Sequence, residues 1–151
     1  MNSTETEIAD LIEISRFAGE RFDLVQAGGG TTSVKLDDGR MFVKASGMAL
    51  SEVGSEADFC LLQWPGLLEF MSSCATDAST EVLEAQAKVA VAAAMSPVSS
   101  SSRRPSIEAL LHCLLGKYTL HTHPIAVASL VCRTNWQKQV TDIFASAFPQ
   151  Y

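Results

Sequence analysis

Arg104-Pro105-Ser106-Ile107-Glu108-Ala109-Leu110-Leu111-His112-Cys113-Leu114-Leu115-Gly116-Lys117-Tyr118-Thr119-Leu120-His121-Thr122-His123-Pro124 is a helix signal that runs straight into a strand signal. Pro105 suits a first helical turn, where its missing N–H is not needed. Leu110, Leu111, Leu114 and Leu115 mark one apolar face, and Gly116 supplies a stop. Glu108 and His112 stand four apart, the spacing of neighbours on a helix, so they share a face. Past the glycine, residues 118–123 are rich in β-formers and close at Pro124, which predicts a short strand. Residues two apart in a strand point to the same side, which predicts His121 and His123 on one face, roughly 6.5–7 Å apart at the backbone. Two imidazoles so placed can converge on one metal ion.

Working outward, residues 32–36 and 40–44 read as two strands around the turn Asp37-Asp38-Gly39, an Asp-Gly hairpin signal. Before them, an N-terminal helix is expected, capped by Ser3 or Thr4 and carrying the stripe Ile8, Leu11, Ile12, Ser15. Residues 48–59 have no clear period and predict a short helix or loop. Residues 59–64 suit a further strand, whereas Leu67 to Met71 fit strand or helix equally. Ser79 or Thr80 opens a helix to Met95 that is expected to be buried in its C-terminal half. The serine-rich stretch 96–104 is expected to be a mobile connection. After Pro124 an apolar helix spans residues 125–132, and Asn135 is placed to cap a last one carrying Trp136, Val140, Ile143 and Phe144.

At 151 residues, 47% hydrophobic and 19% charged, the chain reads as one globular domain. Its net charge of −6 argues against a nucleic-acid surface, and no apolar run approaches the length of a membrane span. Residues 1–7 lack the basic and apolar regions of a secretory signal, so a cytoplasmic location is expected. Cys60, Cys74, Cys113 and Cys132 lack metal-ligand spacing and read as reduced, mostly buried thiols.

Residues 104–108 with Leu111-His112, followed by Leu120-His121-Thr122-His123-Pro124, resemble the signature of the class II aldolase/adducin family. Gly28-Gly29-Gly30-Thr31-Thr32-Ser33-Val34-Lys35-Leu36 and Val43-Lys44-Ala45-Ser46-Gly47 resemble that family's first two motifs, in the same order. The resemblance implies an α/β sandwich with a mainly antiparallel central sheet flanked by helices, in a homo-oligomer. It implies Glu108 as the catalytic acid or base, and a phosphate held by Gly29, Gly30, Thr31, Ser46, Gly47 and Ser106. His121 and His123 would bind Zn2+ or another divalent metal. Two departures stand out: Thr31 occupies the place of the family's asparagine, and Ile107 that of the second of two serines before the glutamate.

Without the resemblance, each of these residues has a plainer reading. Three glycines are most often a turn, Ser46-Gly47 an ordinary strand end, and Glu108 a surface carboxylate at a helix N-terminus. Arg103 and Arg104 read as a solvated pair, and His112 as a hydrogen-bonded core histidine. The pair His121 and His123 is harder to dismiss, yet catalytic zinc uses three protein ligands and an open position. The family's third zinc histidine lies downstream, and no histidine follows His123. The third ligand is therefore His112, Cys132 or a carboxylate, or lies beyond Tyr151. The last is the expectation, with residues 1–151 as the N-terminal portion of a longer domain.

The activity implied is reversible aldol cleavage of a ketose phosphate, with a small sugar phosphate as the partner molecule. An epimerase on the same scaffold, or a non-catalytic adducin-like protein acting through assembly or protein contacts, are the alternatives.

Overall fold

The computed structural model describes residues 3–74 and 77–145. Met1, Asn2 and the C-terminal stretch to Tyr151, on which the expectation of a longer domain turned, lie outside these residues. Among the described residues four strands form one sheet in the order β3-β2-β1-β4, every neighbouring pair antiparallel. They are β1 (Thr31–Lys35), β2 (Arg40–Lys44), β3 (Phe59–Gln63) and β4 (Tyr118–His121). The hairpin forms as its turn chemistry directs: Gly39 adopts φ +85, the left-handed conformation that glycine takes without a Cβ clash.

Among the described residues six helices accompany the sheet: α1 (Ser3–Gly19), α2 (Trp64–Ser73), α3 (Thr80–Ala93), α4 (Ala109–Leu114), α5 (Ile125–Val131) and α6 (Trp136–Phe144). Two adjacent residues of β1 reveal the layering, because consecutive strand side chains point to opposite faces. Thr32 Oγ1 lies 2.6 Å from Ser15 Oγ of α1, while Ser33 Oγ lies 2.7 Å from His112 Nδ1 of α4. The sheet is thus sandwiched between α1 and α4, with Leu11, Val34, Met41, Phe59 and Leu62 in the core.

Several expectations give way to tertiary packing. Ser3 and Thr4 lie inside α1 rather than capping it, and residues 67–71 belong to helix α2. Residues 50–52 and 56–58 form two short 3-10 turns. Asn135 precedes α6 but its side chain makes no cap hydrogen bond. In α3 only Ala87 and Val91 are buried, and Val89 in the C-terminal half is 69% exposed. The serine-rich stretch is tied down along β3: Ser96 N–H donates to Leu61 O (2.8 Å), and Leu61 N–H donates to Ser99 Oγ (3.1 Å). Cys60 and Cys113 are buried, but Cys132 is exposed.

The largest departure is α4, whose leucines turn outward. Leu111, Leu114 and Leu115 are exposed, whereas Ala109, His112 and Cys113 are buried and Leu110 is half-buried. Polar partners on β1 set this orientation. Besides the Ser33–His112 contact, Lys35 Nζ donates to Cys113 O (2.6 Å) and Leu115 O (2.5 Å), satisfying carbonyls at the helix end that have no intrahelical partner. Among the described residues, no helix is long and apolar enough to cross a membrane.

Candidate metal centre and anion cleft

The centre is assembled where the N-terminal end of α4 meets the adjoining ends of β1 and β4. Thr31 is paired with His121 across the β1–β4 ladder, so the two side chains share a face of the sheet. That face is the one α4 covers. Glu108 caps the start of α4; its N–H donates to Ser106 Oγ (3.2 Å) and its Oε2 accepts from the hydroxyls of Thr31 and Ser106. Glu108 Oε1 lies 3.4 Å from His121 Nδ1.

β4 ends at His121, two residues short of the predicted strand end, so His121 closes the strand and His123 lies just beyond it. Their rings sit 4.8 Å apart, edge to face. Ligating atoms of Glu108, His121 and His123 all lie within 4.8 Å of one another. His112 and Cys132, the other ligand candidates, are not part of this group.

These residues suit a divalent cation on two counts. His121 Nδ1 is buried without a hydrogen-bond partner, although a carboxylate oxygen faces it at ion-pair distance. A cation between them satisfies both atoms, whereas the existing geometry does not. Two imidazole nitrogens and one carboxylate oxygen also make a three-ligand set of the kind that leaves a position open.

A cleft of about 200 Å3 adjoins the centre. Glu108 and His123 form one wall, and Gly29, Gly30, Thr31, Ser46, Gly47 and Ser106 form the rest with Gly28, Lys44 and Ile107. All the candidate phosphate residues thus face one space. Their available donors are fewer than the sequence suggests, because Gly29 N–H already donates to Gln26 O (3.0 Å) and Ser46 N–H to Arg104 O (2.9 Å). Gly30 has φ +79, and a Cβ there would fall 2.9 Å from His121 O, so this position admits only glycine if β4 is to approach. A larger hollow of about 500 Å3 between α1 and β4 contains none of the candidate residues.

Lys44 is a member of this site that sequence reasoning passed over. It is 2% exposed and donates to Ala45 O (3.2 Å) and Met48 O (2.6 Å). Burial pushes its pKa down, against the attraction of Glu108 and Glu52. A lysine directly before Ser46-Gly47 was the available signal.

Burial alone would raise the pKa of Glu108. The Thr31 hydrogen bond and the neighbouring imidazoles of His121 and His123 outweigh it, holding the carboxyl below its ordinary value. Glu108 is therefore ionised at neutral pH.

His112 is fully buried and takes the core role expected of it, hydrogen-bonded to Ser33. Burial pushes its pKa from 6.5 down to about 4, with His121 and Lys35 acting in the same direction and Glu108 opposing. A depressed value means the fold holds the neutral ring. Stability from this group is complete above about pH 6.5 and is lost as pH falls toward 4, by on the order of 3 kcal/mol. Urea denaturation across this window is expected to show a steeper fall for the wild type than for His112→Gln; parallel slopes would exclude His112 as the source.

Residues 9–148 match the family model described as "Class II Aldolase and Adducin N-terminal domain". A relative described as "Uncharacterized oxidoreductase YuxG", from Bacillus subtilis (strain 168), is 28% identical over 164 residues, covering 93% of this chain and 20% of the relative. The chain thus spans about a fifth of that relative's length. Among solved structures, the N-terminal class II aldolase domain of a conserved protein from Thermoplasma acidophilum aligns with a TM-score of 0.71 at 26% identity. The alignment covers 95% of this chain and 67% of that one.

Proposed function

Because the chain belongs to the class II aldolase and adducin N-terminal domain family, we propose that it is a metal-dependent lyase that reversibly cleaves a ketose phosphate or related sugar. Members of this family are generally metal-dependent. The observation that carries the reading is the convergence of Glu108, His121 and His123 within 4.8 Å, beside a cleft rimmed by hydroxyls and glycine backbone.

In this reading His121, His123 and Glu108 hold Zn2+ or another divalent cation. When bound, the cation supplies Lewis-acid polarisation of the substrate's carbonyl and adjacent hydroxyl. Ser46 donates a hydroxyl hydrogen bond to the phosphate, Ser106 turns its own from Glu108 to the same anion, and the glycines of residues 28–30 let backbone approach it without side-chain interference. Glu108 Oε1, released from the ligand set when substrate enters, accepts the hydroxyl proton as the carbon–carbon bond breaks and returns it to the departing carbon. Gln26 O and Arg104 O occupy the Gly29 and Ser46 amides, so hydroxyls rather than those amides recognise the anion.

The test is aldehyde release from a panel of ketose 1-phosphates by untagged protein, with and without a chelator. Release that stops with the chelator and returns on adding Zn2+, Co2+ or Mn2+ is expected. Protein that binds no divalent cation and cleaves none of the panel would overturn the lyase reading in favour of a non-catalytic role in assembly.

A further inference from the structure

Thr31 has a partner different from the phosphate that its position in the glycine-rich motif suggests. It is 2% exposed, and its hydroxyl donates to Glu108 Oε2 across a sequence separation of 77 residues. We propose that Thr31 is a positioning residue for the metal-facing carboxylate, dedicating Glu108 Oε1 to the cation shared with His121 and His123. The inference rests on the metal-dependent reading above.

The geometry is a two-rung ladder between β1 and α4. Thr31 and Ser33 are two apart on a strand and point to the same face, separated by roughly 6.5–7 Å. Glu108 and His112 are four apart at the start of a helix, a rise of about 6 Å. The two repeats match, so both rungs close together: Thr31 to Glu108, and Ser33 to His112 at 2.7 Å. The second rung, with the Lys35 contacts at the far end of α4, sets the helix against the sheet. The first rung does something the second cannot, because it acts on a carboxylate with two oxygens.

Those oxygens have different work. Oε2 accepts from Thr31 and, at 3.4 Å, from Ser106; Oε1 faces the unbonded Nδ1 of His121. A carboxylate free to turn about its last torsion exchanges its oxygens, since that torsion is broad and two-fold. The Thr31 hydroxyl removes this freedom. Its backbone is paired with that of His121, so one residue fixes the relative placement of two of the three ligands. Partners of this kind behind metal ligands commonly influence affinity by 10- to 100-fold.

The test uses the metal alone, Zn2+ by competition with a chromophoric chelator and Co2+ by its visible absorption, on the intact chain. Thr31→Val is expected to weaken Zn2+ binding roughly 10- to 100-fold and to alter the Co2+ spectrum. Thr31→Ser keeps the hydroxyl and is expected to bind within about threefold of wild type, as is Ser33→Ala, which removes only the other rung. Equal affinity in Thr31→Val and wild type would overturn the proposal. So would an equal loss in Ser33→Ala, which would mark general loosening of α4, or a Thr31→Ser protein as weak as Thr31→Val. If Thr31→Val does not fold, Thr31→Ala, which also removes the hydroxyl, carries the same expected loss and the same overturning result. A wild type that binds no metal would instead sink the lyase reading beneath it.

Discussion

Replacing His121 and His123 together with alanine is expected to lower affinity for divalent cations at least ~1000-fold while the chain stays folded. Structural zinc sites are held by about 10–16 kcal/mol of apparent binding free energy, and removing two of three protein ligands forfeits most of such a term. Folding is spared because neither ring belongs to the apolar core. His121 lies at the end of the edge strand β4 with 29% of its side chain exposed, and His123 lies beyond the strand, just before Pro124. Elemental analysis of untagged protein, with thermal melting beside it, checks both halves. Metal retained by the double variant would place the cation elsewhere in the chain.

The second large effect concerns chemistry rather than binding. Glu108→Gln at saturating metal is expected to reduce turnover roughly 10²- to 10⁴-fold, the range by which a positioned acid or base contributes. Glutamine has the shape of glutamate, and its carbonyl oxygen can take the Oε2 position and accept from Thr31 and Ser106. The amide nitrogen then replaces Oε1, where it has no capacity to accept a proton. Melting temperature is expected to change little, because Glu108 is 31% exposed and outside the core. Single-turnover kinetics with metal occupancy measured in the same samples separates lost chemistry from lost metal. Unchanged turnover would assign the proton transfer to another group.

The two histidines and the glutamate were legible in the sequence as candidates, but for reasons that the fold partly replaced. His121 and His123 were expected two apart on one strand; β4 ends at His121, and the rings lie 4.8 Å apart with His123 just past the strand. The third ligand was expected beyond the chain or among several candidates. Among those candidates, the carboxylate of Glu108 meets the histidines, because α4 docks with its N-terminal end over β1 and β4. The apolar run Leu110–Leu111, Leu114–Leu115 read as the buried face of α4, and three of these leucines are exposed. Hydrophobic periodicity assumes an apolar partner, whereas the facing strand offers Thr31, Ser33 and Lys35, and their hydrogen bonds decide the rotation of a six-residue helix.

By itself the sequence determined what depends on neighbours along the chain. The Asp-Gly turn set the β1–β2 hairpin, the glycines made a loop with no side chains to obstruct a ligand, and a short spacing kept two imidazoles in reach of each other. Only the tertiary structure decided which residues meet across long separations: Thr31 with Glu108, Ser33 with His112, Lys44 with the cleft. Spacing within an element fixes faces through the pitch of helix and strand. The rotation and register with which α4 lies on β1 are instead set by the total of polar and apolar contacts between elements nearly eighty residues apart, a sum that no local pattern contains.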